Sequence, residues 1–233
     1  GREPDGELME VLTAEHTGEA FQLLSDEPGD VMDRVPAFLE KQREKAALPG
    51  YPELLKEEYT RLFIGPGSLV APPWESIYGQ QDAMLFQEST LEVRNTYREF
   101  GFLPEGYPRV ADDSLTLELH FMALLAQRSM EEFGSGRTGA LSVSLKGSGA
   151  FLEKHLLVWI PQFLERLKSS KTSLMYPQLC VILDAFLKQD ARMLEEVQDL
   201  LAFAGGEHEY HPDGDLVAGL VIGNAVRAQC QRH

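Results

Sequence analysis

The segment "EHEYH" near the C-terminus holds the densest set of metal-ligating side chains in the sequence, with His208 and His211 three apart and Glu207 and Glu209 beside them. On a helix that spacing puts both imidazoles on one face, where a divalent ion could be held. Gly205 and Gly206 precede the segment and Pro212 follows it, and this punctuation favours a loop, which disperses the ligands. His120 and His155 lie in apolar helical stripes with no ligand partner at motif spacing. Nucleophilic catalysis has no better footing: there is no GxSxG elbow and no cysteine in a recognisable histidine context. The runs "GSGRTG" and "GPGSLV" supply glycines but lack the lysine and the strand-to-helix setting of a phosphate cradle. Cys180 and Cys230 are far apart, which fits a reducing compartment and gives no zinc site. Carboxylates are plentiful, and two that converge in the fold could still do acid–base work, so a small carboxylate-dependent hydrolase is one reading.

Composition narrows the classes. The 233 residues are 43% apolar and 25% charged, as expected of an ordinary globular body and not of a disordered or fibrous chain. The 21 Lys and Arg residues stand against 37 Asp and Glu, a net charge of −16. Nucleic acid is a poor partner for such a surface, because phosphates need clustered cations. A basic peptide or protein is attracted to it; alternatively, the acidity only keeps the chain soluble. No stretch approaches the length of uninterrupted apolar residues that a membrane span needs, and the first residues, "GREPDGELME", are polar and acidic where a signal peptide is basic and then apolar. The expectation is a cytoplasmic protein.

Helical periodicity must position whatever site exists, and no strand alternation or repeat competes with it. The segment "LMEVLTAEHTGEAFQLLS" spaces Leu8, Leu12, Phe21 and Leu24 helically, and "DVMDRVPAFLEKQREKA" follows. In "YPELLKEEYTRLFIG" Leu54, Leu55, Tyr59, Leu62 and Phe63 form a stripe between Pro52 and Gly65, the proline and glycine marking start and stop. Helices are expected from about Ser89 to Phe100, ending at Gly101, and through "DDSLTLELHFMALLAQRSMEEF", whose acidic start complements the helix dipole. Between them "GFLPEGYPRVADD" reads as a loop. The Gly/Ser-rich "GSGRTGALSVSLKGSG" reads as a flexible connection, near 134–149, that could join N- and C-terminal subregions and act as a hinge for domain swapping. "AFLEKHLLVWIPQFLERLK" reads as a helix, with a kink or restart near Val158 forced by Pro161. Two shorter helices, about Ser173 to Leu187 and Ala191 to Ala204, come before the apolar tail. The expected fold is all-α, one compact helical domain over 1–233.

One stretch resists this pattern. In "GPGSLVAPPWESIYG" Pro72 and Pro73 forbid helix, so the chain is extended or turned and takes its order from neighbouring helices. Trp74 and Tyr78 then offer large rings with polar tips, the residue types found where a peptide is gripped. The alternative is that Trp74 plugs the core.

"YTRLFIGPGSLVAPPWESIYG" closely resembles the signature of the TorD/DmsD family of cytoplasmic chaperones, which mature molybdenum-containing reductases exported by the twin-arginine pathway. Tyr59, Leu62, Phe63, Gly65, Pro66, Ala71, Pro72, Pro73, Trp74, Ser76 and Tyr78 carry the likeness in register. It continues in "VRNTYREFGF", in "DDSLTLELHFMALLA" and in "FLEKHLLVWIPQF", so that four ordered motifs cover roughly 51–168. One departure stands out: the family commonly has Asp-His before the central helix, and this chain has Asp113-Ser114. The resemblance implies an all-helical fold, no catalysis and no bound cofactor. It implies a protein that binds the twin-arginine leader of a reductase precursor, aiding cofactor insertion and delaying export until folding is complete. Pro72, Pro73, Trp74, Ser76, Tyr78, Asp112, Asp113, Ser114 and Glu118 are the expected peptide-binding residues, with the acidic groups meeting the paired arginines. A monomer or a domain-swapped dimer is compatible with this reading. The alternative within the same resemblance is a NarJ-type assembly chaperone for a reductase subunit that is not exported.

Overall fold

Local signals place the helix ends. Helix α1 (Gly6–Thr13) begins at Asp5, whose carboxylate accepts the Leu8 amide at 2.9 Å and satisfies one of the donors that every helix start leaves open. Helices α2 (Val35–Ala46) and α3 (Tyr51–Tyr59) each carry proline in the first turn, where its missing N–H costs nothing. Helix α3 widens into a π turn, Thr60–Ile64, and stops at Gly65 with φ of 86°. A Cβ there would also meet the Gly67 carbonyl oxygen at 3.0 Å, so conformation and crowding both demand glycine. Helix α4 (Glu88–Glu99) closes through Gly101, φ 70°, with the Phe102 amide donating to the Tyr97 carbonyl at 2.8 Å, a Schellman-type end. Helices α5 (Leu115–Gly134), α6 (Thr138–Phe151), α7 (Leu157–Lys168) and α8 (Tyr176–Gly206) follow. The computed structural model describes residues 4–14, 30–78, 88–104, 111–170 and 174–206, with positions 17 and 21. Among the described residues there is no strand, only an isolated antiparallel bridge between Trp74 and Ser114, and the all-α expectation holds.

Two expectations are corrected. The Gly/Ser-rich segment is not a flexible connection: from Thr138 onward it is helix α6, entered through a short turn after Gly134. Its small residues let helices approach. A Cβ on Gly147 would fall inside the Phe100 ring, and one on Gly149 would meet the Gln198 amide nitrogen at 3.2 Å. Ser144, buried, donates to Glu132 of α5 at 2.7 Å. The two short C-terminal helices are likewise one, α8, because no proline or glycine interrupts "LKQDAR". The restart expected near Val158 is present in an adjusted form: a π turn, Leu152–Leu156, precedes α7, and the Leu157 amide bonds back to the Leu152 carbonyl, while Pro161 lies inside α7.

The main apolar cluster gathers Val93 and Tyr97 of α4, Phe121 and Leu125 of α5, Phe151, Leu152 and Leu156, Trp159, Ile160 and Phe163 of α7, and Cys180 and Leu187 of α8. Ala71 and Tyr78 join it from the Pro/Gly segment. Smaller clusters set Met32, Val35 and Leu39 against Ile182, and Tyr51 and Leu55 against Met175. A buried carboxylate locks this N-terminal part to α8: Glu58 accepts the amides of Leu174, Met175 and Tyr176 at 2.7, 2.8 and 3.1 Å. It caps α8 from another helix, where a negative charge also suits the dipole.

Candidate functional site

The residues Ala71 to Tyr78 form an extended strap that ends in one 3-10 turn, Glu75–Ile77. Pro72 and Pro73 keep it out of helix, so its backbone groups must bond elsewhere. They bond to the N-terminal approach of α5. The Glu75 amide donates to the Asp113 carbonyl at 3.0 Å, and the Leu115 amide donates to the Pro73 carbonyl at 3.1 Å. The Asp113 carboxylate accepts the Ser76 amide at 2.9 Å. The Tyr78 hydroxyl closes the strap on itself, donating to the Pro72 carbonyl at 2.8 Å.

Beneath the strap lies a polar layer. The buried Glu75 carboxylate is held by His155 Nδ1, 3.0 and 3.2 Å from its two oxygens. Trp159 donates through Nε1 to Glu118 at 3.0 Å. Asp112 pairs with Arg94, 2.6 Å at the closest, while its carbonyl accepts the Tyr97 hydroxyl at 3.0 Å. The Tyr78 ring stacks on Trp159 with 5.4 Å between centroids, and the Arg166 guanidinium sits 4.5 Å from the Tyr78 ring centre. Burial pushes the Tyr78 and Tyr97 hydroxyls above their usual range. Burial, then the Glu75 charge, holds the Glu118 carboxyl well above the usual carboxylate range, against the opposing hydrogen bond from Trp159. Three buried atoms of this layer, Ser76 Oγ, Asp113 Oδ1 and Glu118 Oε1, have no partner among the described residues.

All nine residues expected from the sequence fall in this one region, at two depths. Pro72, Pro73, Trp74 and Ser114 are partly exposed. Ser76, Tyr78, Asp112, Asp113 and Glu118 are buried, so the three carboxylates are not the free surface groups that meeting an arginine implied; they brace the strap from inside. Trp74 belongs to none of the apolar clusters, and Trp159 is the tryptophan that fills the core. Sequence reasoning missed Glu75, His155, Trp159, Arg94 and Tyr97. His155 and Trp159 stand four apart on one apolar face, a spacing that signals two polar tips aimed at one place. The candidate ligands Glu207, Glu209, His208, His211 and Cys230 lie outside the described residues. Among the described residues no group of three His, Cys, Asp or Glu is arranged to hold a metal ion, and no helix is long and apolar enough to cross a membrane.

Fold and site together define an all-helical protein that displays a proline-stiffened, tryptophan-bearing strap on a buried polar base. The family follows from comparison: the family described as "nitrate reductase delta subunit" matches residues 29–165, more than half of the chain, and the chain belongs to it. The chain is similar to a probable Tat proofreading chaperone DmsD of Haemophilus influenzae, 28% identical over 156 residues, 67% of this chain and 66% of the relative. It is similar to the chaperone protein TorD of Vibrio cholerae, 27% identical over 143 residues, 61% of this chain and 63% of the relative. A Tat proofreading chaperone DmsD of Salmonella typhi is 33% identical over 113 residues, 48% of each chain. The chain thus spans about half to two thirds of the length of these relatives.

Proposed function

We propose that this chain is a cytoplasmic chaperone that binds the twin-arginine leader of a molybdenum-containing reductase precursor, aids cofactor insertion and delays export until the client has folded. It acts by binding, without catalysis. The relatives named as Tat proofreading chaperones support the class of ligand. The observation that carries the reading to particular residues is that Trp74 stays partly exposed although the backbone on both sides of it is hydrogen-bonded to the start of α5. A large ring on an immobilised backbone is a pre-organised anchor, which loses little entropy on binding. Pro72, Pro73, Trp74 and Ser114 form the contact surface in this reading. Ser76, Tyr78, Asp112, Asp113 and Glu118 hold it from below.

The decisive experiment is calorimetric titration of the full chain with a synthetic twin-arginine leader and with the same peptide carrying Lys-Lys. Saturable binding that weakens on Arg-to-Lys replacement supports the reading; no binding of either peptide defeats it. A second reading, assembly of a reductase subunit that is not exported, is favoured by the family's description as nitrate reductase delta subunit. Capture of the folded-deficient client body without its leader, together with no leader binding, selects it.

A further inference from the structure

The partnerless Glu118 Oε1 lies in a layer already crowded with acid. From the strap, the Glu75 carboxylate lies beside Glu118 and acts on it; from the start of α5, the Asp113 charge also acts on it. From α7, Trp159 donates to its other oxygen, and His155 of the π turn donates to Glu75. From α4, Tyr97 faces Glu118, and Arg94 is committed to Asp112. Among the described residues no cation is paired with Glu118. Two adjoining carboxylates, both buried, cannot both keep a charge cheaply, because burial removes most of the water that would solvate them. Of the two, Glu75 already accepts a hydrogen bond from His155 at both oxygens. The group left without a donor is Glu118 Oε1.

We infer that Glu118 and Glu75 hold a single proton between them, carried on Glu118 Oε1 and donated to Glu75, and that this proton latches the strap to α5. The proton supplies the hydrogen bond that Glu118 Oε1 lacks. When it leaves to solvent, the pair carries two charges beside Asp113, and the cheapest relief is for Glu75 to withdraw. Glu75 cannot withdraw alone, since its amide and the neighbouring Ser76 amide are the bonds that pin the strap to Asp113. Strap and latch open together. The sign of the pH dependence follows: a carboxyl that holds its proton more tightly folded than unfolded stabilises the folded state at low pH, and that stabilisation is lost as pH rises through the folded value. The consequence for ligand capture rests on the reading above, because Trp74 rides on the strap; the latch itself does not.

The test uses the full chain without peptide. Infrared spectra at about pH 7.5 are expected to show the carbonyl band of a protonated carboxylic acid in the native chain, lost in Glu118→Gln. Amide exchange of residues 71–78 is then compared between the two proteins across pH 6 to 9, so that the intrinsic rate cancels. Protection in the native chain is expected to fall about tenfold per pH unit relative to Glu118→Gln until pH reaches the value at which the latched carboxyl ionises, and to level off above it, while the variant shows no such fall. Glu75→Gln, which also removes the paired charge, is expected to flatten the profile in the same way and serves if Glu118→Gln does not fold. Absence of the protonated-acid band in the native chain, or parallel protection profiles, overturns the latch. Failure of leader peptides to bind would defeat the proposed function and leave these two readouts untouched.

Discussion

At the scale of single residues, the two tryptophans divide the roles that the sequence left open. Trp159 is fully buried and its indole nitrogen is engaged by Glu118, whereas Trp74 stays partly exposed outside the apolar clusters. Trp74→Ala is therefore expected to lower leader affinity by about 2 kcal/mol, roughly thirtyfold, with a melting temperature near that of the native chain, since no core is emptied. Melting and titration of the same variant check it; a collapse of stability with unchanged affinity in the folded fraction would make Trp74 structural. That the candidate residues gather in one region was legible from the family resemblance and from a proline-rich stretch that cannot be helix. Their depth was not. Asp112, Asp113 and Glu118 look like surface acids in sequence, and only the fold shows that Arg94, the Ser76 amide and Trp159 draw them inward.

At the scale of elements, punctuation by proline and glycine was a reliable guide, as at Pro52, Gly65 and Gly101. It misled where glycine serves packing. Glycine and serine in α6 read as a linker by composition, yet Gly147 makes room for Phe100 and Ser144 bonds across to α5. Gly147→Val must expel the ring and also adds a β-branched residue to a helix interface, so it is expected to destabilise by about 2 kcal/mol, measured by denaturant unfolding. A true linker would tolerate the change. The tie between α3 and α8 was invisible in sequence because its partners are 116 to 118 residues apart. Glu58→Ala strands three amides at the start of α8 and is expected to cost about 3 kcal/mol. Glu58→Gln, which keeps an acceptor but loses the charge, should cost less than Glu58→Ala; equal losses would mean that Glu58 does not act as the cap.

At the scale of the whole molecule, helical periodicity made the fold class readable, because the apolar stripes needed no long-range information. The net charge of −16 was also readable, but its meaning changes with the structure. If the buried acids met the leader's arginines directly, the attraction would be short-range and only weakly screened. Since Asp112, Asp113 and Glu118 are internal and Asp112 is already paired, the attraction in the proposed function rests instead on the summed field of the acidic surface, which salt screens within about 8 Å at physiological ionic strength. The apolar part of a leader is indifferent to that screening, because burying it removes hydrocarbon from water at any ionic strength. Leader affinity is therefore expected to fall severalfold between about 0.05 and 0.5 M salt, with most of the loss in the association rate, since long-range fields steer encounters more than they hold complexes together. Stopped-flow titration across that range separates the two rates. A salt effect confined to dissociation would mean that the strap opens to let the arginines reach the internal carboxylates, and a salt-independent affinity would leave the acidic surface without a part in binding.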